Sequence, residues 1–437
     1  MKKTEKNTDF SLIDVLLWGI TILLAVVLGI FLDVNNPLIK YLTIPAFVVL
    51  RLLVAFAIPM FFLVIINNLI TLKFTGKTWY RVLLPLLSNT TFAIIIGFVV
   101  VNLIQPGNWA DLIPFEFANP TQPTPDFANI DNFWDAILKF IQNLVPASLI
   151  EPLVNNNVMQ IIVVSFSLGI VLRAIKSEQK QQDKPEFTEE ENINFQPLEN
   201  AIGVLLEAVK NIWKWVIDNH LLKLAVFGIL LKNIALQGVV TPLVSLVLFV
   251  LTMLVALLVQ ACYYLLRIQF GSWVKPLEFL CKGRKVFIEA FETASSNRTL
   301  DTARQIFKDK IPLREASVYL GVNIGSNFNR DGTIILMVTS VLYISQMLGE
   351  NLSFGQFFIL ILISIFASTG GPGISNTALV SLTLVFTAVG LPIDYIAVIL
   401  SVDWLLDRCY TVINVMGYMT ASILLDGKKP YRLNKAS

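Results

Sequence analysis

Long unbroken apolar runs dominate the pattern of this chain. Phe10–Phe31, Tyr41–Leu72, Val82–Ile104 and Val240–Leu266 each exceed the roughly 18 to 20 residues that a bilayer crossing needs. A further span system covers Phe133–Leu172, and two more long helices are expected over Phe195–Gln237 and Val240–Arg267. From about Pro276 the pattern changes to short, half-polar helical pieces around Gly, Ser and Asn clusters. One unit, Val274–Lys310, is broken at Ala294-Ser295-Ser296-Asn297-Arg298-Thr299; another, Gly355–Gly390, is broken at Ser368-Thr369-Gly370-Gly371-Pro372-Gly373. Each precedes a helix with a polar interruption, at Asn327–Thr333 and at Asp403–Asn414. Broken segments in corresponding positions mark inverted-repeat secondary carriers, whose site lies where the breaks meet. Irregular backbone at that depth is tolerated only when buried in protein or lining a cavity.

The second interruption carries most of the chemistry. Asp403, Asp407, Thr411 and Asn414 recur at spacings of four, four and three, so on a helix they form one polar stripe. An ionisable group inside a span costs about 2.5 to 3.5 kcal/mol on insertion scales, so it faces a cavity, a partner or a ligand. Composition agrees with a membrane setting: 437 residues, 55% apolar and 15% charged, with a mean hydropathy of +0.69, which excludes an ordinary soluble protein and disorder alike. The basic leader Met1–Asn7 precedes a run too long for a signal-peptide core, so the first span is read as retained.

Basic loops orient the chain. No Lys or Arg lies between Arg81 and Lys139, whereas Asp111, Glu116, Asp126, Asp131 and Asp135 sit in a Pro-containing stretch, which is therefore external. Lys2, Lys3, Lys6, Lys73, Lys77, Arg81, Arg173, Lys176, Lys180, Lys184, Lys428, Lys429 and Arg432 then face the cytoplasm, with both termini inside and an even number of crossings. The solvated linker 173–191 separates two halves. A net charge of +2 argues for no nucleic-acid partner, the basic pattern being one of topology. Cys262, Cys281 and Cys409 have neither paired nor zinc-ligand spacing. His220, beside Asp218 and Asn219 near a span, reads as interfacial and structural rather than as a proton relay. Catalytic signatures are absent, and no enzyme is expected.

In Asn143-Leu-Val-Pro146, Ser165-Phe-Ser-Leu-Gly-Ile170, Ser295-Ser296, Asn329-Arg-Asp-Gly-Thr333, Gly390-Leu-Pro392, Asp403-Trp-Leu-Leu-Asp-Arg408 and Asn414-Val-Met-Gly417, the chain resembles the dicarboxylate/amino acid:cation symporter family, the glutamate transporter fold. The resemblance covers nearly the whole chain. It implies an all-α polytopic protein of the cell inner membrane with eight transmembrane helices, two re-entrant hairpins and inverted repeats. It also implies a homotrimer in the lipid bilayer that works as an elevator, with hairpin two as the outer gate. Scaffold helices would fall in 1–80 and 133–237. The transport domain would take the third span and external loop, 81–132, and residues 238–427, with hairpin one at 274–310 and hairpin two at 355–390, followed by a cytoplasmic tail, 428–437. Carried over residue by residue, Asp407 matches the carboxylate that holds a substrate ammonium group. Asn414 and Thr411 match side chains around the substrate carboxylate, and Ser296, with Ser295 beside it, matches the hairpin-one contribution; Thr333 and Tyr410 complete the expected substrate set. A desolvated carboxylate suits an ammonium group, and N–H groups at helix ends suit an anion. Against this, Asp403 and Asp407 could simply pair with Arg408 or Arg330, and Thr299 could be an ordinary helix cap.

The chain departs from the family at three points. Tyr410 stands where carriers of acidic amino acids have an arginine, and a phenol does not replace a bidentate guanidinium; Arg298 at the hairpin-one tip either compensates or faces solvent. Arg330 stands inside Asn329-Arg330-Asp331-Gly332-Thr333, where sodium-coupled members use an aspartate and irregular backbone to hold Na+. Tyr418 replaces another cation-ligating carboxylate. Asn89-Thr90-Thr91 keeps side-chain oxygens near an expected third sodium position, with Leu86 where an aromatic hydroxyl is expected. Arg330 is thus read as a tethered cation neutralising Asp331 and also Asp403, the alternative being a damaged but usable sodium site with Arg330 turned away. Met337 stands where proton-carrying members have a glutamate. The expected cargo is a small, neutral amino acid or related carboxylate, moved without Na+ coupling and without a cofactor, Na+ or H+ being the possible coupling ions. The alternatives are a Na+- or H+-coupled carrier of dicarboxylates or acidic amino acids, and a receptor or anion-conducting pore on the same fold.

Overall fold

A computed structural model describes residues 12–32, 36–71, 79–109, 132–182, 195–218, 220–369 and 377–428. The leader, most of the external loop, most of the basic loop positions, the tail and the tip of hairpin two, 370–376, lie outside them. Helices α1 (Leu12–Phe31), α2 (Pro37–Thr71), α3 (Trp79–Ile104) and α4 (Phe133–Gln142) precede α5 (Val158–Gln182), α6 (Gln196–Asp218), α7 (Leu221–Gln237) and α8 (Val240–Gly271). The second half holds α9 (Pro276–Thr293), α10 (Leu300–Asp309), α11 (Asp331–Met347), α12 (Phe354–Thr369), α13 (Thr377–Val389) and α14 (Ile396–Asp426). No strand occurs among the described residues.

Four of these stretches are long and apolar enough to cross a bilayer by themselves: Pro37–Thr71, Leu84–Trp109, Val158–Ser177 and Val240–Gly271. α14 is as long, at 31 residues, but its polar stripe lowers its hydropathy. α8 shows why such helices read as featureless. Val247, Leu251, Leu254 and Leu258 point outward while Phe249, Met253, Ala256 and Tyr264 are buried, so both faces are apolar and the sequence pattern selects neither.

Two packing groups result. α2 packs on α5, α6 and α7, with α1 on α7; α11 packs on α3, α8, α12, α13 and α14, with α9 on α14. The groups meet where α13 lies on α2 and α14 on α7. At the centre of the second group stands α11, with every residue but Gln346 buried.

The sequence expectations need three amendments. The charged linker does not begin at Arg173, because α5 runs on to Gln182; Lys and Gln are good helix formers, and Lys176 anchors that turn to Glu199 at 2.7 Å. The helix over Phe195–Gln237 is two helices, with His220 in the left-handed region (φ 59) at the start of α7 and its Nδ1 2.9 Å from Lys223 Nζ. The interruption at Asp403–Asn414 is polar but not irregular, since α14 is continuous through it.

Asp426 fastens the far end of α14. Its fully buried carboxylate accepts from the Arg314 main-chain N–H (2.9 Å), Arg314 Nε (3.0 Å) and Trp273 Nε1 (3.1 Å). Asp426→Ala leaves those donors unsatisfied and is expected to lower stability by about 1–3 kcal/mol. Arg314→Ala, which leaves the fully buried carboxylate without its cation, is expected to lower it by more. Unfolding midpoints in detergent check the order.

Candidate functional site

Three clusters of polar side chains gather around the start of α11 and along α14. The first surrounds the stripe. Asp403, Tyr410, Thr411 and Asn414 are buried and Asp407 is half-buried. The Tyr410 hydroxyl interacts with both Asp403 and Asp407, and Thr411 Oγ1 donates to Asp407 Oδ1 at 3.2 Å. Asn414 reaches the start of α11. Its Oδ1 accepts from the Gly332 N–H (2.9 Å) and the Thr333 N–H (3.3 Å), while its Nδ2 donates to Thr333 Oγ1 (3.1 Å). These are first-turn N–H groups with no partner inside their own helix, so a side chain from α14 caps α11 in place of a local residue.

Arg330 is buried and acts on Asp407 and Tyr410, rather than on Asp331 and Asp403, the partners expected from the sequence. Asn329 and Arg330 are not helical (φ/ψ −95/87 and −122/48) and Asp331 opens the helix, so the two neighbouring side chains leave the backbone in different directions. Among the described residues, Arg330 Nε and Asp403 Oδ1 are buried without a hydrogen-bond partner.

Asp331 belongs to a second cluster, between α3, α8 and α11. Tyr264 donates its hydroxyl to Asp331 Oδ2, Thr90 Oγ1 donates to Oδ1 at 3.2 Å, and Asn89 Nδ2 donates to Asn329 Oδ1 at 2.9 Å. Arg267 Nη1 donates to Asn89 Oδ1 and, at 3.1 Å, to the Pro85 carbonyl. Thr91 points outward. Leu86 lies in a separate apolar patch with Ala421, so the aromatic hydroxyl at this carboxylate comes from α8. Sequence reasoning missed Tyr264 and Arg267. A run-end arginine reads first as one that snorkels to the interface, so neither residue had a direction legible in the sequence.

The third cluster joins hairpin one to α14. The α9 helix ends at Ala294 in the left-handed region (φ 47), and the tip carries Ser295 and Ser296, both half-buried, and Arg298, exposed. Thr299 is no helix cap: its hydroxyl lies 2.8 Å from the Tyr418 hydroxyl and donates to the Ser296 carbonyl at 2.8 Å. Arg408 donates to the Phe291 and Glu292 carbonyls (2.8 and 2.7 Å), the unpaired C-terminal carbonyls of α9, where a cation also suits the helix dipole.

A buried set of carboxylates, hydroxyls and guanidinium groups, placed between helix breaks in an apolar helical protein, has the makings of a carrier's ligand site rather than of an enzyme's. The comparisons with known proteins agree. The chain belongs to the sodium:dicarboxylate symporter family, whose model matches residues 18–428, and it is a multi-pass secondary transporter. It is 25% identical to excitatory amino acid transporter 2 of Mus musculus, across 95% of this chain and 79% of that protein. It is 24% identical to a C4-dicarboxylate transport protein of Rhizobium etli (84% and 79%) and 26% identical to the proton/sodium-glutamate symport protein of Bacillus subtilis (96% and 93%).

Contact between α11 and α14 is close enough to exclude a methyl group. A Cβ on Gly332 would sit 2.3 Å from the Tyr410 carbonyl oxygen, and a backbone atom cannot swing aside. Gly332→Ala is expected to cost about 1–3 kcal/mol of stability and to pull Asn414 off the α11 N-terminus. The check is a lowered unfolding midpoint together with weaker ligand-induced stabilisation.

Proposed function

We propose that the protein carries small amino acids with neutral side chains, or related carboxylates, and does so without Na+ coupling. The observation that carries this reading is the pair of buried, unpartnered atoms beside Asp407. Arg330 Nε is a cationic donor and Asp403 Oδ1 a carboxyl acceptor, an arrangement complementary to the two ends of an amino acid. Arg408 and Arg330 both act on Asp407, Arg408 while also donating to the hairpin-one carbonyls, and the neighbours of Asp403 are Asp407 and the Tyr410 hydroxyl. Asp403 and Asp407 are the carboxylates offered to a substrate ammonium group. A second substrate carboxylate would lack a dedicated guanidinium, since Tyr410 directs its hydroxyl at Asp403 and Asp407 and Arg298 is exposed. In this reading Thr411, Asn414, Thr333, Ser295 and Ser296 orient the substrate carboxylate.

The packing groups give the motion a basis. α1, α2 and α5–α7 serve as a scaffold, α3 and α8–α14 as the moving part, and hairpin two, formed by α12 and α13, as the gate. The assembly is a homotrimer in the cell inner membrane with both termini cytoplasmic. A second reading, a Na+- or H+-coupled carrier of dicarboxylates or acidic amino acids, has support of its own. The relatives bear glutamate and C4-dicarboxylate names, and Arg330 is a guanidinium able to take a carboxylate.

Two measurements decide between them. Asp407→Asn is expected to abolish ligand-induced thermal stabilisation by neutral amino acids, a loss of about 3–5 kcal/mol; unchanged affinity would remove Asp407 from the site. In proteoliposomes, neutral amino acids should compete for uptake better than aspartate, succinate or glutamate, and choline should replace Na+ without loss of affinity. Tight aspartate or succinate binding that rises with Na+ and falls in Arg330→Met would establish the coupled reading instead.

A further inference from the structure

The family description implies a sodium ion, and the buried oxygens of Asn89, Thr90, Asn329 and Asp331 are hard donors of the kind Na+ prefers. The arrangement does not fit one. Asn89 Oδ1 accepts from Arg267 and Asn329 Oδ1 accepts from Asn89. Both oxygens of Asp331 accept hydroxyl hydrogen bonds, and the buried Asn329 Nδ2 beside them is a donor without a hydrogen-bond partner among the described residues, so a donor rather than a further oxygen lies on that side. A Cβ on Gly417 would lie 1.8 Å from Asn329 Nδ2 and 2.7 Å from the Tyr264 hydroxyl, so the α14 backbone leaves this side of the cluster no room to open. The positive charge that acts on Asp331 comes from Arg267. That guanidinium is half-buried between the Pro85 carbonyl, Asn89 and the Tyr263 ring, 5.6 Å from the ring centroid. Tyr263 is held in turn by Ser88 at 3.1 Å and by stacking on Phe92. An added cation would meet Arg267 in a medium of low dielectric, where like charges repel strongly.

We infer that Arg267 is the resident cation of the Asp331 cluster: a guanidinium fixed on α8 supplies the charge and the hydrogen-bond donors that a bound Na+ would supply, so this cluster takes no metal ion. The inference rests on the reading of the chain as a carrier but not on the identity of its substrate. Arg267 touches no residue of the Asp403–Asp407 stripe in the contacts above, which makes it a positioning residue. Its hydrogen bond to Asn89, which in turn donates to Asn329, ties α8 and α3 to the start of α11 beneath Asn414.

The test uses Na+ alone, without substrate. Thermal unfolding of the purified full chain is followed in NaCl and in choline chloride at equal ionic strength, for wild type, Arg267→Met, Arg267→Lys and Asp331→Asn. Wild type and Arg267→Lys should unfold at the same temperature in both salts, whereas Arg267→Met should gain a saturable, Na+-specific upward shift, as a ligand that binds only the folded state produces. A saturable Na+ shift in wild type that Asp331→Asn removes would overturn the inference, and so would an Arg267→Met protein of wild-type stability that ignores Na+. If Arg267→Met does not fold, the double variant Arg267→Met with Asp331→Asn decides: recovery supports the pairing, and continued failure while Asp331→Asn alone folds overturns it. Na+-dependent uptake by a wild-type protein whose unfolding temperature ignores Na+ would overturn the Na+-independent reading above and support Arg267 as the resident cation here.

Discussion

The capping of α11 by Asn414 is the contact on which the rest of the site depends. A helix that begins in the interior of a membrane protein exposes N–H groups that no water satisfies. Here a side chain from α14 takes up two of them. That single amide fixes the distance between two helices, sets where Arg330 leaves the backbone, and brings Thr333 beside the polar stripe. It also explains the glycines: the approach that permits the cap brings α14 against Gly332, and α14 in turn presses Gly417 onto Asn329.

Charge is balanced locally and in separate places. Asp426 forms an ion pair with Arg314 at 3.0 Å, whereas Arg330 acts on Asp407 and Arg267 on Asp331 through the field rather than by contact. Buried ions without partners are costly, and removal of one partner from a buried pair is strongly destabilising. The Asp426–Arg314 pair therefore acts as a registration point between segments that are otherwise joined largely by apolar contacts of little directional preference.

Much of this was legible in the chain. Ser and Asn clusters marked the hairpin-one break at the residues where α9 ends and α10 begins, because such residues favour turns and cannot sustain a span. The Asp403 to Asn414 spacing placed one stripe on one helix, because a continuous helix transmits a period of 3.6 faithfully. What did not read was direction across a break. Arg330 and Asp331 are adjacent, and only the backbone angles at Asn329 and Arg330 send their side chains to different partners. Tyr264 and Arg267 were hidden for another reason: α8 is apolar on its lipid face and its protein face alike, so periodicity could not say which residues turned inward. The extension of α5 to Gln182 shows the converse error, a polar helix taken for a loop because its composition suited water.

Arg330 also bears on how the protein would respond to the electrical state of its membrane. A mobile ion can be bound on one side and released on the other, carrying its charge across. A guanidinium that belongs to the chain returns with it. The empty and loaded forms then differ in charge only by what the substrate brings, and for a zwitterion that difference is zero. Since a membrane potential exerts about 2.3 kcal/mol per elementary charge per 100 mV, a full cycle of such a carrier would move no net charge, and its cargo would follow concentration alone.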